Sequence, residues 1–274
     1  MQRDYKMLPF PPVRQRIADY QIEAARNHTI RGLFDVDVTD IRRAIRHYRR
    51  ERDRGLSLTA YLLFVFSHTL IDYPMLQGYL KGRKKLIIFN DVDVNTIVER
   101  EIQGERHATT YILRAADKKS LDEIYRELED AQKSTAESAI AGDTQRSTAR
   151  VVVEKMPRFM RRLVLAYIMR RNPVLRRKFF GTVGLSALSM FAGGSGYAIP
   201  ITPHVLSLLV GGFGKKPLVV NDEIKIREVL SLTLAMNHDV VDGAPAVRFM
   251  TELNKRLLSG FGIEEHLEAV TSTD

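Results

Sequence analysis

The chain of 274 residues is 45% hydrophobic and 27% charged, proportions typical of a globular protein that buries one large core. It contains no cysteine, which excludes disulfide bonds, thiolate metal sites and a cysteine nucleophile. The net charge of +9 is matched by nine basic residues between Lys155 and Lys178, a stretch without any acid. Because the rest of the chain is formally neutral and carries no nucleic-acid-binding motif, we expect no nucleic-acid partner.

The N-terminus is interrupted by prolines and charged residues, unlike the apolar core of a secretory signal. The longest apolar tract, over 58–70, contains polar residues and is shorter than the roughly 18 residues that a membrane-spanning helix needs. We therefore expect a cytoplasmic protein that is not integral to a membrane.

The first half of the chain predicts helices and strands in alternation after an N-terminal arm over 1–12. Helices are predicted over 13–25, from Asp40 to Gly55, over 57–70 and over 121–136. Strands are predicted over 33–38, 86–89, 92–98 and 109–113, with a turn at 78–82 and a loop at 141–147.

The second half begins with a basic helix over 157–171 that we expect Pro173 to break. Strands are then predicted over 182–188, 197–201, 205–210 and 229–236, glycine-rich turns at 193–196 and 211–214, a hairpin turn at 221–222 and a closing helix over 245–258. Without repeats or linkers, the pattern predicts a single α/β domain over 1–274. Within it, 150–180 is a basic helical insertion and 262–274 a polar C-terminal tail.

The most informative stretch places His238 at the end of an apolar strand, with Asp242 and Gly243 at the spacing His-X-X-X-Asp-Gly before a helix. An imidazole held at a strand end can face a cleft and act as a general base. The spacing by itself is also compatible with an ordinary structural pair of histidine and aspartate.

This stretch resembles the catalytic-domain signature of the 2-oxoacid dehydrogenase acyltransferases and of the related chloramphenicol acetyltransferases. Further segments resemble that family in the same order, so that the likeness covers about residues 10–260: 35–40, 58–62, 73–76, 116–121, 181–188 and 209–220. The resemblance implies a chloramphenicol acetyltransferase-like mixed β-sheet with packed helices, assembled as a homotrimer. It also implies acyl transfer between coenzyme A and a dihydrolipoyl thiol.

The resemblance assigns roles to individual residues. His238 would take the proton from the attacking thiol, and Ser186 would donate a hydrogen bond to the developing oxyanion. Asp242 resembles a buried aspartate that, with Gly243, holds the catalytic loop through an arginine, for which we expect Arg14 in preference to Arg16. No metal is expected, because the remaining histidines lack the spacing of metal ligands.

Two departures from the family leave the substrate open. Lipoyl and subunit-binding domains usually precede the catalytic domain; none precedes the matching segments here, so we expect the lipoyl group in trans from a lipoyl-bearing protein or other 2-oxoacid dehydrogenase subunits. Asp239 and Asn237 also stand where arginine and a second acid or histidine are usual. The alternatives are acylation of a small-molecule hydroxyl or amine and a non-catalytic trimeric scaffold.

The basic stretch over 155–178 allows three interpretations: a solvated helix, a phosphate-binding site for coenzyme A, or an amphipathic helix that docks on an anionic membrane or acidic partner. The candidate phosphate ligands are Arg170, Arg171, Arg176, Arg177 and Lys178. Because the C-terminus is polar, we expect a free trimer with His238 of one subunit facing Ser186 of the next. The larger cubic or dodecahedral assemblies of the family use an apolar C-terminal anchor.

Overall fold

The computed structural model describes residues 5–51, 55–82, 84–102, 105–134, 156–187 and 194–272. Its helices are α1 (Pro12–Ala24), α2 (Thr39–Glu51), α3 (Leu58–Thr69), α4 (Leu121–Lys133), α5 (Arg158–Arg171), α6 (Pro173–Phe180), α7 (Gly243–Leu258) and α8 (Glu264–Thr271). Its strands are β1 (Thr29–Asp37), β2 (Tyr79–Lys81), β3 (Lys85–Ile87), β4 (Val94–Ile102), β5 (Glu105–Leu113), β6 (Val183–Ala187), β7 (Leu206–Val220) and β8 (Glu223–Asn237).

The six longer strands form one mixed sheet in the order β1-β8-β7-β6-β4-β5. β6 runs parallel to both of its neighbours, β4 and β7, while the other pairs are antiparallel. The predicted mixed sheet with packed helices in a single domain is therefore confirmed.

The main core lies on one face of this sheet, where α3, α4 and α7 pack. Nearly every side chain of α3 is buried, which explains why its sequence is apolar on all sides. The helix starts at Ser57, whose side chain accepts a hydrogen bond from the Ala60 amide, and α4 starts with a capping box formed by Ser120 and Glu123.

The glycine-rich stretch over 211–214 is not the predicted turn, because β7 runs through it with a register shift between Val210 and Phe213. A Cβ atom on Gly211 would lie 2.3 Å from the carbonyl oxygen of Gly196, and one on Gly212 would lie 2.2 Å from that of Gly194. These glycines therefore allow the 194–196 backbone to approach β7. The strand predicted over 197–201 is wrong, since that segment is irregular.

Three further elements differ from the sequence prediction. The predicted turn at 78–82 includes the short strand β2, and Pro173 opens the new helix α6. The polar tail contains α8, which packs against α2 and buries His266. The hairpin turn is confirmed, with positive φ at Asn221 and Asp222.

Some predictions lie outside the described residues. They are the loop over 141–147, the start of the basic insertion over 150–155 and most of the region between β6 and residue 194.

Candidate functional site

The candidate base His238 lies in the turn that follows β8, and 46% of its side chain is exposed. Backbone hydrogen bonds hold the turn in place. The amide of His238 donates to the carbonyl of His28 at 2.7 Å, and the amides of Val240 and Val241 donate to the carbonyl of Asn237 at 3.1 Å. The imidazole is thus carried on a fixed backbone while its ring remains accessible.

Asp239, which stands where the resemblance predicts an arginine, pairs with a histidine across the sheet edge. Its Oδ1 lies 2.7 Å from Nδ1 of His28, and its amide donates to Oδ1 of Asn237 at 3.0 Å. The acid and the asparagine therefore stabilise the same turn that carries His238, a role that spacing along the chain did not indicate.

The resemblance implied that Asp242 is buried. In the structure of one chain, however, 90% of its side chain is exposed. Its Oδ1 lies 3.9 Å from Nδ1 of His238, which is too long for a hydrogen bond. Asp242 precedes Gly243, the first residue of α7, at the helix N-cap. Arg14 is exposed on α1 and makes no ion pair with Asp242, so the expected Asp242–Arg14 contact is absent between these two described residues.

Ser186 is half-buried on the face of β6 opposite the main core, since its neighbours Leu185 and Ala187 point into that core. It aligns with Leu209 of β7, which in turn aligns with Thr233 of β8. Within the described ranges the Ser186 hydroxyl has no hydrogen-bond partner, so it is available to an acceptor such as a substrate oxygen.

One chain does not bring Ser186 and His238 together. The strand β7 separates β6 from β8, and His238 lies five positions beyond Thr233, the β8 residue that is level with Ser186. At about 3.3 Å per residue and about 4.8 Å per strand, the backbone positions of the two residues are roughly 19 Å apart. A site that uses both must therefore combine two copies of the chain or undergo a large rearrangement.

Thr233 was missed by the sequence analysis. It is fully buried on the Ser186 face, and its Oγ1 has no hydrogen-bond partner in the described part of the chain. The signal was a hydroxyl residue within the mostly apolar part of β8 over 229–236. A buried unpaired hydroxyl is costly, which makes this face unusual among structural strand positions.

The acids over 35–40 have a structural role that the resemblance did not specify. Asp37 accepts from Nε of Arg227 at 2.6 Å and from the amide of Thr39 at 2.9 Å, and Asp40 also pairs with Arg227. Burial would raise the pKa of Asp37, but the hydrogen bonds from Thr39 and Arg227 outweigh it and hold that pKa below its usual value. Through Arg227, these acids connect β1 and α2 to the hairpin formed by β7 and β8.

Arg170, Arg176 and Arg177 are expected phosphate ligands whose side chains make contacts within the fold. Arg170 donates two hydrogen bonds of 2.7 Å to Glu23, and Arg177 donates from Nε to Asp93 at 2.8 Å and from Nη2 to Asp91 at 3.1 Å. Arg176 donates to the carbonyls of Met169 and Pro203 and stacks on the ring of Tyr79 at 4.0 Å.

The assignment of Arg170, Arg176 and Arg177 to coenzyme A phosphates stays a prediction, and within one chain their side chains bind other groups. Their guanidinium groups bind a carboxylate of α1, carboxylates just before β4 and backbone carbonyls. These acceptors come close to the three arginines only when the chain folds. Arg171 and Lys178 are exposed. No cluster of three or more metal-ligating side chains occurs within the described ranges.

A sequence model of the 2-oxoacid dehydrogenases acyltransferase (catalytic domain) family matches residues 2–152 and 180–261. The matched segments include Ser186, His238 and Asp242, whereas 153–179 is not matched.

Known proteins show the same relationship. The dihydrolipoyllysine-residue acetyltransferase component of the pyruvate dehydrogenase complex of Rickettsia felis is 21% identical over 259 residues, which are 92% of this chain and 53% of that protein. The chain thus spans about half the length of this curated relative.

Solved structures show that the fold is shared. A probable dihydrolipoamide acetyltransferase from Listeria monocytogenes aligns with a TM-score of 0.67 and 18% identity over 93% of this chain and 95% of that one. Dihydrolipoamide acetyltransferase from Azotobacter vinelandii aligns with a TM-score of 0.68 and 19% identity over 95% and 94%. The latter was solved to investigate the role of a serine, a histidine and an asparagine in its catalytic mechanism.

Proposed function

Because the chain belongs to the 2-oxoacid dehydrogenases acyltransferase (catalytic domain) family, we propose that it transfers an acyl group between coenzyme A and the thiol of a dihydrolipoyl group. One observation carries the proposal: the family match includes both Ser186 and His238. In the Azotobacter vinelandii enzyme, the serine and the histidine of the catalytic mechanism are separated by the same number of positions as Ser186 and His238. The asparagine follows that histidine by the same number of positions as Asp242 follows His238.

In the proposed reaction, the imidazole of His238 accepts the proton of the dihydrolipoyl thiol. The thiolate then forms a bond to the acyl carbonyl carbon, and the carbonyl oxygen becomes an oxyanion. When this intermediate collapses, the bond to the coenzyme A sulfur breaks, and the imidazolium returns the proton to that sulfur. The exposed ring of His238 on its fixed turn supports this role.

Ser186 serves as the oxyanion donor. Its hydroxyl, which has no partner in the described part of the chain, can form its hydrogen bond in the transition state without breaking another one. Removal of such a donor typically lowers the rate by about 10²–10³-fold.

We further propose that the active site lies between subunits of a trimer, with His238 from one subunit and Ser186 from the next. The roughly 19 Å between these residues within one chain supports this arrangement. Closure of a ring around a threefold axis gives every subunit the same pair of contacts, so each trimer has three equivalent sites.

The first experiment measures acyl exchange from acetyl-, propionyl-, succinyl- and branched acyl-coenzyme A to free dihydrolipoamide. We expect transfer with at least one donor, a loss of about 10³-fold or more in His238→Ala and about 10²-fold in Ser186→Ala, since the first loses the base and the second the oxyanion donor. Val247→Ala, an exposed residue of α7, is the control.

Exchange that persists in His238→Ala would contradict the assignment of the base. Absence of transfer with every donor would exclude the lipoyl acceptor, and a screen of hydroxyl and amine acceptors with the same donors would then test the remaining acyltransferase chemistry.

A further inference from the structure

The helix α5 has an unusual orientation, because its large apolar side chains point to solvent. Phe159, Leu163 and Tyr167 are 67%, 67% and 54% exposed, and Val174 of α6 is 62% exposed. The first three recur at intervals of four residues and so lie along about 12 Å of one side of the helix. We call these four residues the outer apolar stripe.

The opposite side of α5 explains this orientation. Asp19 of α1 is 1% exposed and accepts hydrogen bonds from Nη2 of Arg161 at 2.8 Å and from Nε of Arg158 at 3.2 Å. Burial would raise the pKa of Asp19, but these two arginines outweigh it and keep that pKa below its usual value. The ion pairs therefore turn the inner side of α5 toward α1 and leave the apolar side outward.

The same contacts leave the solvent-facing surface of α1, α5 and α6 positively charged. The described residues of α1, α5 and α6 contain only two acids, Asp19 and Glu23, whose side chains are 1% and 8% exposed and paired with arginines of α5. Arg162, Arg171 and Lys178 are exposed beside the outer apolar stripe. Positive charge thus surrounds the stripe, while the negative charges that would repel an anion are buried.

We propose that the outer apolar stripe and its flanking arginines bind the surface of an anionic phospholipid bilayer. Aliphatic and aromatic side chains that protrude from one exposed helix insert between lipid headgroups, and adjacent arginines bind the phosphates. In the described part of the chain, no helix combines the length and the apolar character needed to cross a bilayer. The face also lies within 153–179, outside the segments that match the family.

The experiment is flotation of the full chain with vesicles of phosphatidylcholine containing phosphatidylglycerol, compared with pure phosphatidylcholine. We expect binding to the anionic vesicles, weaker binding at high salt, and a decrease of about tenfold or more in the double variant Phe159→Ser/Leu163→Ser. The double variant Ile224→Ser/Ile226→Ser is the matched control, since these hairpin residues are 79% and 76% exposed and lie far from α5 in the chain.

A second readout uses the absence of tryptophan from the chain. In Phe159→Trp, the single tryptophan should shift its emission to shorter wavelength when anionic vesicles are added. Failure of the wild-type chain to float, equal loss of binding in both double variants, or an unchanged emission would each overturn the proposal. Because none of these readouts requires acyl transfer, their outcome is independent of the catalytic proposal.

Discussion

His204 is an imidazole in the loop before β7 whose burial favours its neutral form. Its Nε2 donates to the carbonyl of Phe180 at 2.8 Å, and its Nδ1 lies 3.3 Å from Oγ1 of Thr202, which is also 2.7 Å from Oγ of Ser207. Burial lowers the pKa of His204 to about 4, and the bond to Phe180 offsets this only in part. The network lies against Gly184 of β6, on the same face of that strand as Ser186.

This pKa predicts a specific loss of stability in acid. In the unfolded chain the imidazole takes up a proton near its ordinary pKa of 6.5, whereas the native chain does so only near 4, so the free energy of unfolding decreases as the pH falls between these values. At pH 5 the loss is about 2 kcal/mol relative to neutral pH. Urea unfolding of wild type and His204→Gln at both pH values measures it.

The variant provides the control, because it has no group that titrates in this range at position 204. We expect its free energy of unfolding to change less than that of the wild type between neutral pH and pH 5. The acids with lowered pKa, such as Asp19 and Asp91, lose their contribution only below about pH 4. An equal acid sensitivity of wild type and variant would show that His204 is not the source.

Arg177 is expected to act in folding rather than in coenzyme A binding. Its guanidinium pairs with Asp93, whose side chain is 2% exposed. Among the described residues, Arg177→Gln leaves this buried carboxylate with Arg114 as its one charged partner. We expect a loss of about 2 kcal/mol in the free energy of unfolding, compared with less than about 0.5 kcal/mol for the exposed Arg171→Gln. Denaturant titration provides the measurement.

The kinetic constants of the same variants separate the two roles. If Arg177 bound a coenzyme A phosphate instead, the KM for acyl-coenzyme A would rise while the stability stayed the same, which would contradict the structural role.

At the scale of elements, β7 depends on glycines where the 194–196 backbone packs beside it. A Cβ atom at Gly211 would lie 2.3 Å from a backbone oxygen that cannot move independently, whereas one at Gly214 would lie at an ordinary 3.5 Å from Ser195. The strand should therefore tolerate a larger residue at position 214 but not at position 211.

We expect Gly211→Ala to lower the free energy of unfolding by about 2 kcal/mol or more, because strands and crossing backbone must separate. Gly214→Ala is the control in the same strand and should change stability by less than about 1 kcal/mol in either direction. Thermal unfolding of both variants measures the difference. Similar midpoints would mean that the crossing segment does not pack against β7 in solution.

The insertion formed by α5 and α6 shows why element type was easier to predict than element orientation. The spacing of its apolar residues correctly indicated a helix over 158–171. It did not reveal that the stripe faces solvent, because that depends on the pairing of Arg161 with Asp19, a contact across 142 positions of the chain.

At the scale of the whole molecule, the separation of His238 from Ser186 predicts complementation between inactive variants. In trimers that mix His238→Ala with Ser186→Ala subunits, some interfaces combine the intact histidine of one subunit with the intact serine of its neighbour. Random mixing should restore about a quarter of the sites, and each variant alone should remain inactive. Co-expression followed by the acyl exchange assay gives the measurement.

The mixed preparation also needs a measurement of solution mass. We expect the mass of three chains. A mass that corresponds to a cubic or dodecahedral particle would contradict the free trimer, and a mixture without recovered activity would place both residues in the site of one subunit.

The sequence by itself determined most helices and strands, the hairpin turn, the mixed α/β class and the positions of His238 and Ser186. These features depend on residues close together in the chain: hydrophobic periodicity, capping residues, and a short motif at a strand end. The family resemblance added the chemistry expected of those two side chains.

Only the tertiary structure decided how these parts are arranged. In the folded chain, arginines of the basic insertion form ion pairs with Asp19, Glu23 and Asp93. The strand β7 continues through its glycines, and Asp242 is exposed in a single chain. The structure also separates Ser186 from His238, because β7 lies between their strands and His238 follows the level of Ser186 by five residues. The physical reason is the same in each case: these outcomes depend on contacts between segments far apart in sequence, which local patterns do not encode.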